Sequence, residues 1–137
     1  MQLNSLSRFG AHIGLVTLPM NKVMESHGKI FAFEPANYNR NILKRHLKIN
    51  HIVNVEVFDF LVGKSSSGRV EFYEESKDSP LGTIALRGDR KGFIKTHKKQ
   101  ISLDIFCENK GISPDIIKID VEGGEIGVLL GSENTIR

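Results

Sequence analysis

Two carboxylates stand between a short apolar run and a pair of glycines near the end of the chain. Asp120 and Glu122 follow the run 116–119, and Gly123 and Gly124 come next. Because β-branched residues dominate the run, we predict a strand over 116–120, buried on both faces. In open α/β sheets, ligands bind in the crevice outside the carboxyl ends of the strands. Asp120 is therefore a candidate ligand contact, and Asp120 or Glu122 can act as a general base toward a hydroxyl group.

Glu125, which follows directly, has a structural interpretation instead. It opens the helix that we predict from Gly124 to Gly131, where the unpaired N–H groups and the helix dipole stabilise a negative side chain. Asp120 precedes that helix by several residues. We therefore favour capping for Glu125 and a functional role over capping for Asp120.

The remaining sequence predicts strands and helices that alternate. The predicted elements are a buried helix over 14–24 that Pro19 starts or kinks, a strand over 29–33, a helix with Pro35 in its first turn that stops at Asn50, strands over 53–58 and 70–73, a short strand within 83–86, and a helix over 103–110 ended by Gly111. This order implies an α/β fold with a mostly parallel sheet and helices on both faces. Glu34, Asp59 and Asp120 would end three different strands, so we expect them to gather along one rim.

The segment from residue 74 to residue 100 has the weakest pattern, and it is long for a loop. Such a segment is usually a lid, a binding loop or a small hairpin, and 79–99 is where an acceptor-recognising lid would lie. It also carries much of the basic excess, as Arg87, Arg90, Lys91, Lys95, Lys98 and Lys99. Because Phe93 is the one aromatic residue among them, a stacking platform for nucleic acid is lacking and we favour a solvated loop.

Length and composition limit the classes of protein to which this chain can belong. The 137 residues carry a formal charge of +3 and are 39% hydrophobic, which suits one domain over 1–137. No run is long and apolar enough to span a membrane, and the first residues lack the pattern of a secretory signal, so we take a cytoplasmic chain as the default. Cys107 has no second cysteine and is interpreted as a small core residue. The five histidines lack metal-ligand spacing, so we assign no metal site.

A glycine loop near the start of the chain limits which cofactor the site can bind. Gly10, Ala11, His12 and Gly14 precede the first helix, and Glu34 follows Gly14 by twenty residues, where an acid commonly binds ribose hydroxyls. Dinucleotide enzymes need a G-x-G-x-x-G loop that admits a pyrophosphate, but His12 takes the place of the middle glycine. S-adenosylmethionine has no phosphate. It offers a ribose to Glu34, an adenine amine to Asp59 and a sulfonium that nearby carboxylates stabilise.

These motifs together resemble the FkbM family of S-adenosylmethionine-dependent methyltransferases. The matching segments are GAHIG at 10–14, IFAFEP at 30–35, VEFY at 70–73, ISLD at 101–104 and IKIDVEG at 117–123. The resemblance implies a class I, Rossmann-like sheet of seven strands and O-methylation of hydroxyls on small molecules or sugars. It also implies that Gly10, Ala11, His12 and Gly14 line the methionine end of the cofactor, that Glu34 holds the ribose, that Asp59 lies near the adenine, and that Asp120 and Glu122 border the methyl group.

The chain also departs from the family pattern. Arg8 stands where the family usually has an acid, and His12 stands in the place of an asparagine. The first seven residues look too short and polar for the expected central strand, and the final strands of such a sheet are missing. We therefore expect part of a methyltransferase domain, with an interior strand left at an edge and completed, in one arrangement, by a second copy of the chain.

Two other functions stay open at this point. A nicotinamide-dependent oxidoreductase is disfavoured by the missing middle glycine. A noncatalytic binding module, derived from an enzyme and holding an anionic partner through its basic segment, is favoured by Arg8 and by the incomplete sheet.

Overall fold

The computed structural model describes residues 5–24, 28–74, 82–83, 93–121 and 123–137. Within these ranges the chain forms eight strands and four helices. In chain order they are β1 (Ser5–Phe9), α1 (Thr17–Val23), β2 (Lys29–Phe33), α2 (Asn37–Ile49), β3 (Val55–Phe58), β4 (Leu61–Val62), β5 (Ser67–Glu74), β6 (Gly82–Thr83), β7 (Ile94–Ile101), α3 (Leu103–Lys110), β8 (Ile116–Ile119) and α4 (Glu125–Leu130). None of the helices in these ranges is long and apolar enough to cross a membrane.

The first sheet is parallel throughout and has the order β3-β2-β1-β8. β1 lies in its middle and pairs with β2 on one side and β8 on the other. The expectation that the start of the chain is too polar for the central strand is therefore wrong. Pairing on both edges satisfies the backbone groups of β1, and this contribution does not depend on the polarity of its side chains.

The second sheet has the order β4-β7-β5-β6 and is mainly antiparallel. The prediction of one mostly parallel sheet is therefore only partly right, because the described strands divide between two sheets. β5 and β7 run in opposite directions and pair with each other, which requires no crossover helix.

In the weak segment, the described residues 82–83 and 93–100 include β6 and most of β7, which both pair antiparallel with β5. Most of the predicted lid over 79–99, the rest of the predicted strand over 83–86, and Arg87, Arg90 and Lys91 lie outside the described residues. The described lysines of this segment, Lys95, Lys98 and Lys99, lie on β7 and not in a solvated loop.

The core explains why β2 is apolar at successive positions. Phe31 and Phe33 face one side, where the ring of Phe106 from α3 meets Phe33 edge-on with 4.8 Å between centroids. Ile30 and Ala32 face the other side, where Ala32 packs in a cluster with Leu43 of α2 and Ile30 packs in another with Met20 of α1. β2 is therefore buried on both faces, as an interior parallel strand should be.

Two predicted helices differ in detail. The helix predicted over 14–24 is shorter and less buried than expected, since Leu15 and Val23 are 71% and 72% exposed. Pro19 lies in its first turn, where no helical N–H is lost. In the next helix, α2, Ala36 is the N-cap, so Pro35 precedes the first turn and does not lie in it. The predicted stop at Asn50 is confirmed.

β8 is not the fully buried interior strand that the sequence predicted. Among the described strands it pairs only with β1, and all four of its residues are half-buried. Its carboxyl end nevertheless lies level with that of β1, because Phe9 is in register with Ile119. Although β8 lies at the side of the sheet, its carboxyl end therefore reaches the same edge as the carboxyl end of β1.

Asp104 joins α3 to the last residues of the chain. One carboxylate oxygen accepts hydrogen bonds from the Thr135 N–H and hydroxyl at 2.8 and 2.7 Å, and the other accepts from the Asn134 N–H and amide at 3.2 and 3.1 Å. Burial raises the pKa of Asp104, but these donors outweigh it and hold the pKa below the ordinary value of 3.8. The ionised carboxylate therefore stabilises the folded chain.

We predict that Asp104→Ala lowers the free energy of unfolding by about 1–2 kcal/mol at neutral pH, because four hydrogen bonds to a partly exposed charge are lost. Since the folded pKa is depressed, this stabilisation is present above pH 3.8 and is lost as the pH falls through the folded pKa. Denaturant titrations over a pH series, with the exposed Glu108→Ala as control, measure it. A difference between wild type and Asp104→Ala that does not shrink in acid would contradict this account.

Candidate functional site

Four strand ends form a row at the carboxyl edge of the parallel sheet. Phe9 is in register with Phe33 and Ile119, and Phe33 is in register with Phe58. The residues that follow these positions are therefore neighbours, and their order across the sheet is Asp59, Glu34, Gly10 and Asp120. Because neighbouring strands lie about 4.8 Å apart, the Glu34 and Asp120 backbones are about 10 Å apart with Gly10 between them.

Gly10 makes the turn out of β1 with a φ of 72°, a conformation that favours glycine. A Cβ atom on this residue would lie 1.8 Å from the Asp120 carbonyl oxygen. The N–H groups of Gly10 and Ala11 both donate to the Phe33 carbonyl, at 3.1 and 3.0 Å. The loop therefore crosses between the ends of β2 and β8 in direct contact with both.

Glu34 is buried at the end of β2, with 5% of its surface exposed. One carboxylate oxygen accepts the His12 N–H at 2.6 Å, and the other accepts the Ala36 N–H at 2.9 Å. The side chain of Asn39 also donates to it. One carboxylate thus ties the glycine loop after β1 to the first turn of α2.

The protonation of Glu34 reflects two opposing effects. Burial raises its pKa above the ordinary value of 4.5, because a charge is poorly solvated there. The hydrogen bonds from Ala36, His12 and Asn39 and the electrostatic influence of the His12 side chain lower the pKa but do not cancel the effect of burial. The carboxyl group is therefore easier to protonate than an exposed glutamate.

The glycine loop contains left-handed positions at alternate residues. His12 has a φ of 50° and Gly14 a φ of 101°. A Cβ atom on Gly14 would lie 2.5 Å from the Leu18 side chain and 2.9 Å from that of Leu43, so only glycine lets α1 and α2 approach the loop this closely. The loop is compact, since the Gly14 N–H donates to the Ala11 carbonyl at 3.1 Å.

The two remaining strand-end acids are exposed. Asp59 follows β3 with its side chain in solvent. The Asp120 side chain is 63% exposed and lies 3.1 Å from the Lys118 ammonium group, an ion pair that was not predicted from the sequence. Lys118 also donates to the Ile119 carbonyl at 3.3 Å. Its spacing of two residues from Asp120 on a strand was the available signal, because such residues share one face.

Arg40 of α2 also contacts the end of β2, although it was not among the predicted site residues. The Arg40 guanidinium group donates to the carbonyls of Glu34 and Pro35, both at 3.1 Å. Glu122 lies outside the described residues. Glu125 accepts from the Gly123 N–H at 3.4 Å and opens α4, as its structural interpretation expected.

Lys98 of β7 connects the second sheet to the start of α2. Its ammonium group lies 3.1 Å from the Glu74 carboxylate, and both side chains are about 10% exposed. It also approaches the side-chain oxygen of Asn37 at the start of α2, at 3.5 Å. Within the described residues, no group of three or more histidines, cysteines or acids is arranged to hold a metal ion.

Comparisons with known proteins agree with this architecture. The family model described as the methyltransferase FkbM domain matches residues 9–137. Methyltransferase 1 of Beauveria bassiana (strain ARSEF 2860) is 24% identical over 142 residues, which cover 91% of this chain and 57% of that protein. The crystal structure of methyltransferase FkbM from Methylobacillus flagellatus KT superposes with a TM-score of 0.69 at 19% identity, over 98% of this chain and 30% of that one.

The chain thus spans a little over half of the curated relative and under a third of the solved chain. The structural likeness concerns the fold, which is a mixed α/β arrangement with two small sheets. The family model matches residues from the glycine loop to the final residue, which includes all four strand ends of the rim. This chain therefore belongs to the FkbM family of methyltransferases.

Proposed function

We propose that this chain carries the cofactor site of an S-adenosylmethionine-dependent methyltransferase that methylates a hydroxyl group on a small molecule or sugar. In this proposal the parallel sheet is part of a Rossmann-like class I sheet. Glu34 binds the ribose, Asp59 lies near the adenine, and Gly10, Ala11, His12 and Gly14 surround the methionine end. Asp120 and Glu122 lie toward the transferred methyl group.

The observation that carries the proposal is the row of strand ends. Glu34 and Asp120 lie on the same edge of the sheet, on either side of the glycine loop. Ligands of open α/β sheets bind at this edge. A ligand that lies across the row would therefore contact both acids and the loop together.

The residues present suit an adenosine that bears a cation. Each Glu34 oxygen accepts one backbone N–H, and a carboxylate oxygen has a second lone pair that can accept a ribose hydroxyl. Gly10 and Gly14 let the loop pack directly against its neighbours, which fixes its course along the rim. The exposed carboxylates of Asp59 and Asp120 attract a sulfonium, although the Lys118 ammonium group offsets part of the Asp120 charge.

S-adenosylmethionine, when bound, supplies a methyl group on a sulfonium that an acceptor oxygen can take in an in-line displacement. The chain's own residues then have the tasks of alignment and proton transfer. Glu34 and the loop fix the position of the cofactor, and Asp120 is placed to take the proton of the acceptor hydroxyl if the two come within hydrogen-bond reach. The contact with Lys118 orients that carboxylate.

We predict that the chain binds S-adenosylhomocysteine and that Glu34→Gln weakens this binding about 10- to 100-fold, because a hydrogen-bonded carboxylate is replaced by an amide. Isothermal titration calorimetry measures both affinities. Glu133→Gln makes the same chemical change at an exposed position and should leave the affinity unchanged.

Because Glu34→Gln also changes contacts within the fold, Asp59→Asn provides a second variant at an exposed position. It should melt like wild type and bind S-adenosylhomocysteine about 3- to 10-fold more weakly. Titration with NAD tests the oxidoreductase alternative. Binding of NAD in place of S-adenosylhomocysteine, or binding of neither ligand, would refute the proposed cofactor.

A pH series gives a further prediction about Glu34. Since its folded pKa is raised, its contribution to stability is full below pH 4.5 and is lost as the pH rises through the folded pKa. A ribose hydroxyl donates to the ionised form, so the affinity for S-adenosylhomocysteine should rise across the same window and then level off. Glu34→Gln should show neither trend. Parallel pH profiles for wild type and variant would contradict the role of Glu34.

A further inference from the structure

α2 contacts the glycine loop through a residue that no functional assignment has used. His46 lies on α2 between the buried Leu43 and Leu47, and its Nδ1 atom is 2.8 Å from the Ile13 carbonyl oxygen. A carbonyl only accepts, so Nδ1 must carry the proton. This holds for the imidazolium and for one of the two neutral tautomers.

The contact fixes one peptide unit of the loop at both ends. The carbonyl of the Ile13–Gly14 peptide accepts from His46, and its N–H, which belongs to Gly14, donates to the Ala11 carbonyl at 3.1 Å. The Ala11–His12 peptide is held in the same way, because its N–H donates to Glu34. Two clamped peptides therefore flank the single peptide between His12 and Ile13.

That central peptide carries the N–H group of Ile13, which differs from the other N–H groups of the loop. The N–H groups of Gly10, Ala11, His12 and Gly14 all donate within the protein. Among the described residues, the N–H of Ile13 has no hydrogen-bond acceptor. Because the peptides on both sides of it are held by hydrogen bonds, the direction of this N–H group is restricted.

We propose that His46 is a positioning residue for the cofactor loop, which it holds from α2 through the Ile13 carbonyl. This inference rests on the proposed function, since the loop is taken to line the methionine end of the cofactor. His46 touches no reacting atom and acts through the loop. Glu34 clamps one side of the Ile13 amide and His46 clamps the other.

The test compares His46→Leu, which removes the donor, with His46→Asn, whose side-chain amide nitrogen can take the place of Nδ1. Calorimetry should show S-adenosylhomocysteine binding about 3- to 10-fold weaker in His46→Leu and within about threefold of wild type in His46→Asn. His97→Leu makes the first change at an exposed position of β7 and serves as the control. Thermal melts of all variants report any loss of folded protein.

The imidazole ¹⁵N chemical shifts of His46 provide an independent readout. They should show a protonated Nδ1 and an unprotonated Nε2 in the neutral ring, the opposite of the tautomer that free histidine prefers. Wild-type affinity in His46→Leu, equal weakening in His46→Asn, or a neutral ring protonated at Nε2 would overturn the inference while leaving the proposed function standing. Failure of wild type itself to bind S-adenosylhomocysteine would overturn both.

Discussion

The candidate site depends on one buried carboxylate. Glu34 ends β2 and receives the backbone N–H groups of His12 and Ala36 on its two oxygens. Both donors belong to turns that leave the sheet edge, one toward α1 and one toward α2. A buried acid with fewer donors would be destabilising, so the positions of both turns and the location of this charge are coupled.

The parallel register of the strands places Glu34 beside the other residues of the candidate site. Phe9, Phe33, Phe58 and Ile119 lie level with one another, so the residues after them form a continuous rim. Gly10 is required at the centre of that rim, because the Asp120 carbonyl occupies the space of any side chain. The rim therefore combines a rigid, buried carboxylate in its interior with exposed carboxylates at its two ends.

The sequence predicted those elements whose signals are local. The apolar run of β2, the end of α2 at Asn50, and α3 between the Ser102 cap and a left-handed Gly111 all follow from neighbouring residues. Since Glu34, Asp59 and Asp120 follow predicted strands, their location at one edge was also foreseeable. The assignment of these residues to cofactor and catalysis remains a prediction.

The missed features depend on partners distant in the chain. In β7, the exposed residues Lys95, His97 and Lys99 alternate with half-buried polar residues. The sequence therefore lacks the apolar face from which a strand is usually predicted. β7 forms a strand because it pairs with β5. β1 is likewise defined by its pairing with β2 and β8. The second sheet is built on the antiparallel pairing of β5 with β7, which the pattern of each strand alone does not predict.

Amide hydrogen exchange at His12 and Ala36 tests most directly whether Glu34 holds both turns. Because both N–H groups donate to Glu34, both amides should be protected in the wild-type chain, although they lie outside helices and strands. Both should lose protection together in Glu34→Ala. Exchange of either amide at the rate of an exposed loop in wild type, or retained protection of both in the variant, would contradict it.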